Sequence, residues 1–136
     1  MVLLKKADKD ALVLSALEAI KLYRYIPIND QIKKAGSLST TSETLTSDYF
    51  KTGYLYIIQT ICCYELGTGI PQIKLGIQEG NTKFAYEIGT PANAEDSIEY
   101  IGQLIVREGA KIYADFEGCT AADAIYMNIN GYRVKK

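Results

Sequence analysis

From about Tyr54 almost to Lys136 the chain reads as one strand after another, separated by short glycine turns. The run Tyr-Leu-Tyr-Ile-Ile-Gln-Thr-Ile-Cys-Cys-Tyr-Glu, residues 54–65, is made of β-branched and aromatic residues, the types that fit a pleated, half-buried surface. Gly67 and Gly69 then mark a turn, and Ile73, Leu75 and Ile77 alternate with polar neighbours. Glu79-Gly80-Asn81-Thr82 is a tight hairpin signal, after which Phe84, Tyr86 and Ile88 alternate with Lys83, Ala85 and Glu87. A loop from Gly89 to Ser97 leads to a strand containing Ile101, Leu104, Ile105 and Val106. Ile112, Ala114 and Phe116 alternate next, and Ala124–Asn130 closes the series, with Gly131 a candidate bulge position. About six or seven strands with turns every 8 to 12 residues predict a mainly β protein, an antiparallel β-sandwich or barrel.

The strand at 54–65 is apolar on both faces, the even positions from Tyr54 to Tyr64 on one and Leu55, Ile57, Gln59, Ile61 and Cys63 on the other. Such a strand belongs in the middle of a sheet, covered on both sides by an opposing sheet and by a helix or a neighbouring subunit.

The first part of the chain differs. Asp8 to Tyr25 is rich in helix formers, with acids in the first turn and bases near the end, an order that suits the helix dipole. Val13, Leu17 and Ile20 fall on one stripe, widened by Ala11, Leu14 and Leu22, so one face must be buried against the β domain of this chain or against another subunit. Asp8 or Asp10 caps the start and Pro27 stops the pattern. Residues 28–47 turn small and polar and read either as a linker or as an arm that adds to a neighbouring sheet, with room for a short edge strand at Thr44–Thr46. The expected organisation is therefore an N-terminal helix and arm over 1–47 and a sandwich domain over 48–136.

Composition narrows the chemistry. At 136 residues, 48% of them hydrophobic, the chain is long enough to bury a core of its own. Fifteen basic and 16 acidic residues leave a formal charge of -1, so no strong field draws it to nucleic acid or anionic membranes. No stretch reaches the roughly 20 apolar residues that span a bilayer. The opening Met-Val-Leu-Leu-Lys-Lys brings charge too early for a signal peptide, and the expectation is a cytosolic site of synthesis. Three cysteines, two of them adjacent at 62 and 63, read as reduced thiols, one of that pair in the core and Cys119 in a loop.

The sequence contains no histidine. That removes imidazole as a base near neutral pH, as activator of a Ser or Cys nucleophile, and as a zinc ligand. Asn93, Glu95, Asp96, Asp115 and Asp123 carry oxygens suited to calcium, and two of them could form a glycosidase pair, but no spacing fixes them together and solvated loop acids are the simpler reading. The glycines form neither dinucleotide nor phosphate-loop patterns; Gly76 and Gly102 lie inside strands, where bulges or close backbone approaches are expected. No catalytic, cofactor or metal residue is assigned, and the expectation is a protein that is not an enzyme. The 11 tyrosines suit strand surfaces, wet subunit interfaces or a sugar-stacking platform.

Three stretches carry a resemblance. Ser39 to Glu65 passes from a Ser/Thr-rich segment through Thr52-Gly53 into an apolar strand; Leu104-Ile-Val-Arg-Glu-Gly-Ala-Lys-Ile-Tyr-Ala-Asp-Phe116 follows; and Ile125-Tyr-Met-Asn-Ile-Asn-Gly-Tyr-Arg-Val134 closes. From Ser39 to Val134 the chain resembles the small β-sandwich, jelly-roll-like structural proteins of tailed-phage virions, such as capsid decoration and neck-associated proteins. The resemblance implies a jelly-roll-like sandwich; the N-terminal α-helix read from the residues before Pro27 is an addition to it and departs from a minimal decoration domain. It also implies a role in the virion, assembly in the host cytoplasm, a homo-oligomer, and partners among capsid or neck subunits rather than nucleic acid or membrane. Val13, Leu17, Ile20, Tyr23, Tyr54 and Tyr56 are the expected interface residues, buried across subunit contacts. The competing expectation is a carbohydrate- or receptor-binding module that uses the loops at 89–97 and 118–123 and exposed tyrosines.

Overall fold

The computed structural model describes residues 25–136. The helix expected from Asp8, with Val13, Leu17, Ile20 and Tyr23, lies outside the described residues, and Tyr25 is already in a strand. Eight strands make two four-stranded antiparallel sheets. One has the order β1 (Tyr25–Ala35), β8 (Ala124–Lys135), β3 (Tyr54–Leu66), β6 (Ile98–Val106); the other runs β2 (Glu43–Thr46), β7 (Lys111–Glu117), β4 (Gln72–Glu79), β5 (Thr82–Gly89). The pairings β1 with β8, β2 with β7, β3 with β6 and β4 with β5 are nested. The chain therefore runs as one long hairpin rolled over on itself. The two innermost strands are joined by the two-residue Gly80–Asn81 turn read from the sequence, with Gly80 at φ 58°.

The segment left between linker and arm is sheet. β2 is the short edge strand for which Thr44–Thr46 left room, and β1 is a further edge strand that turn-like composition and Pro27 disguised. Pro27 is tolerated there because an edge strand leaves one side of its backbone unpaired. Ile26, Ile28 and Ile32 alternate toward the other sheet, and Ile28 and Ile32 pack against the core.

Between the sheets, Ile58, Ile61, Ile73, Leu75, Ile112, Phe116, Ile125 and Met127 are fully enclosed. Each buried side chain of this size contributes about 1.5–3 kcal/mol. β3 is central, as expected, but its faces do not alternate as a plain period of two. A bulge between Ile58 and Thr60 inserts one extra residue against β8. Tyr56 and Ile58 face inward before it, and Ile61, Cys63 and Glu65 face inward after it, so Cys62 and Tyr64 join Leu55 and Ile57 on the outer face. Gly131 sits opposite the bulge, where a Cβ would lie 2.2 Å from the Ile57 carbonyl oxygen. β5 carries a second bulge: Leu75 faces Glu87 and Gly76 faces Ala85, leaving Tyr86 over. Phe84 thus stays on the inner side opposite Ile77, while Ile88 moves to the outer face opposite Lys74, which breaks the single apolar face read for that strand.

Candidate interaction surface

β5 and β6 are the edges of their sheets on the same side of the sandwich, and neither is covered by another described strand. Side-chain burial fades there. Every residue of β5 up to Ile88 is exposed, although half of them are apolar. Ile101 is 74% exposed, Ile105 64%, and Phe84, Tyr86 and Ile88 each about half. The sheets gape at this edge over a groove of about 410 Å³ lined by Ile77, Glu79, Phe84, Tyr86, Ile105 and Arg107. Tyr86 bridges toward the other sheet, its ring edge-on to Tyr100 at 5.9 Å between centroids. Glu79 and Arg107 give the greasy floor a charged rim of each sign, the make-up of a protein-binding patch.

The outer face of the sheet β1-β8-β3-β6 continues this surface. Its rows follow from the register: Val134 beside Leu55; Tyr132, Ile57 and Ile105 next; then Asn130, Thr60 and Ile101; then Asn128, Cys62 and Glu99. The apolar rows lie at the end where β1 begins, and the polar rows lie beyond them. Toward the far end Tyr64 and Tyr126 stack at 5.0 Å, with Lys33 over the Tyr126 ring.

The opposite edge, between β1 and the 47–51 loop, holds a smaller groove of about 270 Å³ whose walls include Asp30, Asp48, Lys51 and Arg133. Arg133 lies 4.6 Å over the Tyr54 ring. Of the tyrosines expected at an interface, Tyr54 is half-buried beneath that guanidinium. Tyr56 is in the core at 4% exposure, stacked on Phe50 at 4.3 Å, and its hydroxyl accepts the Lys51 N–H at 3.1 Å.

The loop acids do not converge. Asp115 accepts from Thr44 Oγ1 and from Lys83; Asp96 accepts from Asn93 within its own loop; Asp123 accepts the N–H groups of Thr68 and Gly69, both at 2.9 Å. Among the described residues no group of three or more Cys, Asp or Glu side chains is placed to hold a metal ion, and no helix is long and apolar enough to cross a membrane. Sequence reasoning missed one carboxyl. Glu65 is 1% exposed at the end of β3; its Oε1 accepts the Thr120 N–H at 3.0 Å, and its Oε2 has no partner. Burial pushes its carboxyl above the usual range, with the Thr120 bond pulling the other way and the nearby Asp123 charge adding to the rise. Glu65 and Asp123 together pin the 67–69 turn to the loop after β7, a structural clamp with no room beside it for a substrate: a Cβ at Gly69 would overlap Glu65.

All three cysteines are free thiols. Cys63 is in the core and Cys119 is buried in its loop, as expected, with burial first among the causes that push Cys119 up to about 12; Cys62 is half-buried on the outer face.

No family model matches the chain, and no curated protein does. Several solved structures are similar to it, among them two of different kinds. A chain from the "Cyanophage Pam1 capsid asymmetric unit" aligns over 81% of this chain and 84% of its own length, with a TM-score of 0.50 and 15% identity. One described as "CBM4 structure and function" aligns over 84% of this chain and 96% of its own, at a TM-score of 0.32 and 13% identity. The first likeness is one of fold: this chain is a two-sheet antiparallel β protein arranged like a phage capsid chain.

Proposed function

We propose that this protein is a non-enzymatic structural component of a phage virion that binds capsid or neck subunits through the apolar, tyrosine-bearing surface at its β5–β6 edge. The observation that carries the reading is the row of large apolar side chains left in water there, headed by Ile101 and Ile105. A monomeric soluble protein rarely leaves such side chains contiguous unless another molecule covers them. The β5 and β6 edges, which no other described strand pairs with, add backbone donors and acceptors that an incoming chain can pair with. The nested pairing is the wiring of a jelly roll, an architecture that viral capsid domains use, and the fold likeness to a cyanophage capsid chain points the same way. Mass photometry of the purified protein set beside a glycan array tests the reading. A stable ring or small oligomer that ignores glycans supports it; a monomer that binds sugars means the chain is a recognition module instead.

A further inference from the structure

We propose that the trough along the free edge of β1 takes an extended peptide segment of a partner chain that carries an acidic and a basic side chain four residues apart. The site lies at the edge of the sandwich away from β5 and β6 and does not depend on what covers those strands. Two adjoining grooves form the trough, one of about 270 Å³ beside Ile26 and Ile28 and one of about 530 Å³ beside Asn29–Lys33; Asp30, Ser47 and Asp48 border both. One rim is β1, whose outer edge pairs with no described strand. Successive residues from Asn29 to Lys33 border the trough, so the strand meets it with its edge and not with one of its faces. The facing wall is fixed in advance. The Ser47 N–H donates to the Ile112 carbonyl at 2.9 Å and the Phe50 N–H to the Ala110 carbonyl at 2.8 Å, while the Ser47 hydroxyl accepts the Ile112 N–H at 2.9 Å. An edge strand beside such a wall suits strand addition, in which an incoming chain adds main-chain hydrogen bonds and sets alternate side chains into pockets.

The charges choose the occupant. Arg133 stands opposite Ile26 on β1 and Tyr56 on β3, and it faces inward as Tyr56 does. Its guanidinium lies 4.6 Å over the Tyr54 ring, which leaves the edges of the head for acceptors, and it makes no ion pair among the described residues. Nε is enclosed without an acceptor, a costly state for a charged donor, and of the three nitrogens it alone is shut off from water. Lys51 borders the same groove. Asp30 comes four residues along β1 from Ile26, inward-facing between Ile28 and Ile32. Neither Asp30 nor Asp48 forms an ion pair among the described residues. Lys33 also borders the wider groove, but its ammonium lies over the Tyr126 ring. The sign of charge therefore changes along the trough, from Arg133 and Lys51 to Asp30 and Asp48, over four strand residues or ~13 Å. In an extended occupant, residues four apart point the same way, so its carboxylate meets Arg133 while its ammonium meets Asp30. A free anion satisfies one end only and is repelled by the two carboxylates of the other.

The test is an NMR titration of the full chain with the peptide acetyl-Thr-Glu-Val-Thr-Val-Lys-Thr-amide, in which Glu and Lys stand four apart. It should shift the amide signals of β1 and of residues 47–51 saturably, with a Kd on the order of 1 mM or tighter, and leave those of β5 and β6 in place. Exchanging the peptide's Glu for Gln should weaken binding about tenfold or more, the loss expected when a charged donor goes without its acceptor. Asp30→Lys, at an exposed position, should weaken the parent peptide about two- to fivefold and come to prefer a peptide whose Lys is replaced by Glu, a swap that a merely structural role for Asp30 would not produce. Arg133→Gln should reproduce the tenfold loss; should that variant fail to fold, the peptide exchange and the Asp30→Lys swap decide. The proposal is overturned if no peptide gives saturable shifts, if the glutamine peptide binds as well as its parent, or if the shifts fall on β5 and β6 instead. Sodium acetate that moves the same amides as strongly as the peptide would overturn it too, by making the site one for free carboxylates.

Discussion

Replacing Gly131 by alanine tests the feature that decides which side chains of β3 reach the surface. The added Cβ would lie 2.2 Å from the Ile57 carbonyl oxygen and 2.9 Å from the Ile58 Cα, both of them backbone atoms of the adjoining strand at its bulge. Ordinary contact needs more than an ångström beyond the first of these, and neither atom can rotate away, so β3 and β8 must separate locally. Overpacking of this kind costs about 1–3 kcal/mol. Alanine recovers about 0.4–1 kcal/mol by restricting the unfolded chain. The net loss is then about 1–2 kcal/mol, a fall in Tm of roughly 3–8 °C for a domain of this size. Urea denaturation followed by circular dichroism measures it, with Asn130→Ala as the control on the outer face, expected within about 0.5 kcal/mol of the parent. If Gly131→Ala is as stable as the control, the close approach is absent. The bulge that turns Leu55 and Ile57 outward, and Ile58 and Ile61 inward, would then be wrong.

Other outcomes follow from the same structure. Ile61→Ala, which empties a fully enclosed site between the sheets, should cost about 2–5 kcal/mol in the same urea assay. Ile101→Asp should change stability by no more than about 0.5 kcal/mol, because its side chain is already in water, while abolishing self-association or partner binding in sedimentation. Glu65 has a folded-state pKa raised above its unfolded value, so its contribution to stability is fully present below the unfolded pKa and is lost as pH rises through the folded one. Glu65→Gln should therefore flatten the decline in Tm above the carboxylate range, and an unchanged Tm–pH profile would show that the group is not held protonated. A thiol reagent should modify Cys62 in the native protein and reach Cys63 and Cys119 only on unfolding, which mass spectrometry of labelled peptides reads directly.

Much of the sandwich was legible because alternation survives where one face is buried. Ile73, Leu75 and Ile77, and Ile112, Ala114 and Phe116, point into the core as their spacing says. The hairpin at Gly80–Asn81 was legible from turn chemistry, and close backbone approaches show at Gly76 and Gly131 as glycines inside strands. β1 was not legible: Asn29, Asp30, Lys33 and Lys34 are turn and surface types, and Ile26, Ile28 and Ile32 carry a period of two only if Asp30 is allowed an inward position. The facing of β3 and β5 was misjudged because a bulge shifts parity without leaving a mark in hydrophobicity. The surface itself was half legible. The two apolar faces of the 54–65 strand called for a cover beyond the opposing sheet, but that the exposed apolar side chains gather on β5 and β6 depends on strand order, which no local pattern encodes. Glu65 gave no signal either, since an acid at a strand end is ordinarily solvated and only the fold encloses this one.

Sedimentation velocity over a micromolar concentration series, on the native chain and on an Ile101→Asp, Ile105→Asp variant, bears most directly on the claim that other chains cover the β5–β6 edge. The native protein should sediment as a species larger than its 15.1 kDa chain mass, and the variant, equally folded, as the single chain. A native protein that stays a single 15.1 kDa chain throughout the series, with the variant indistinguishable from it, would contradict the claim.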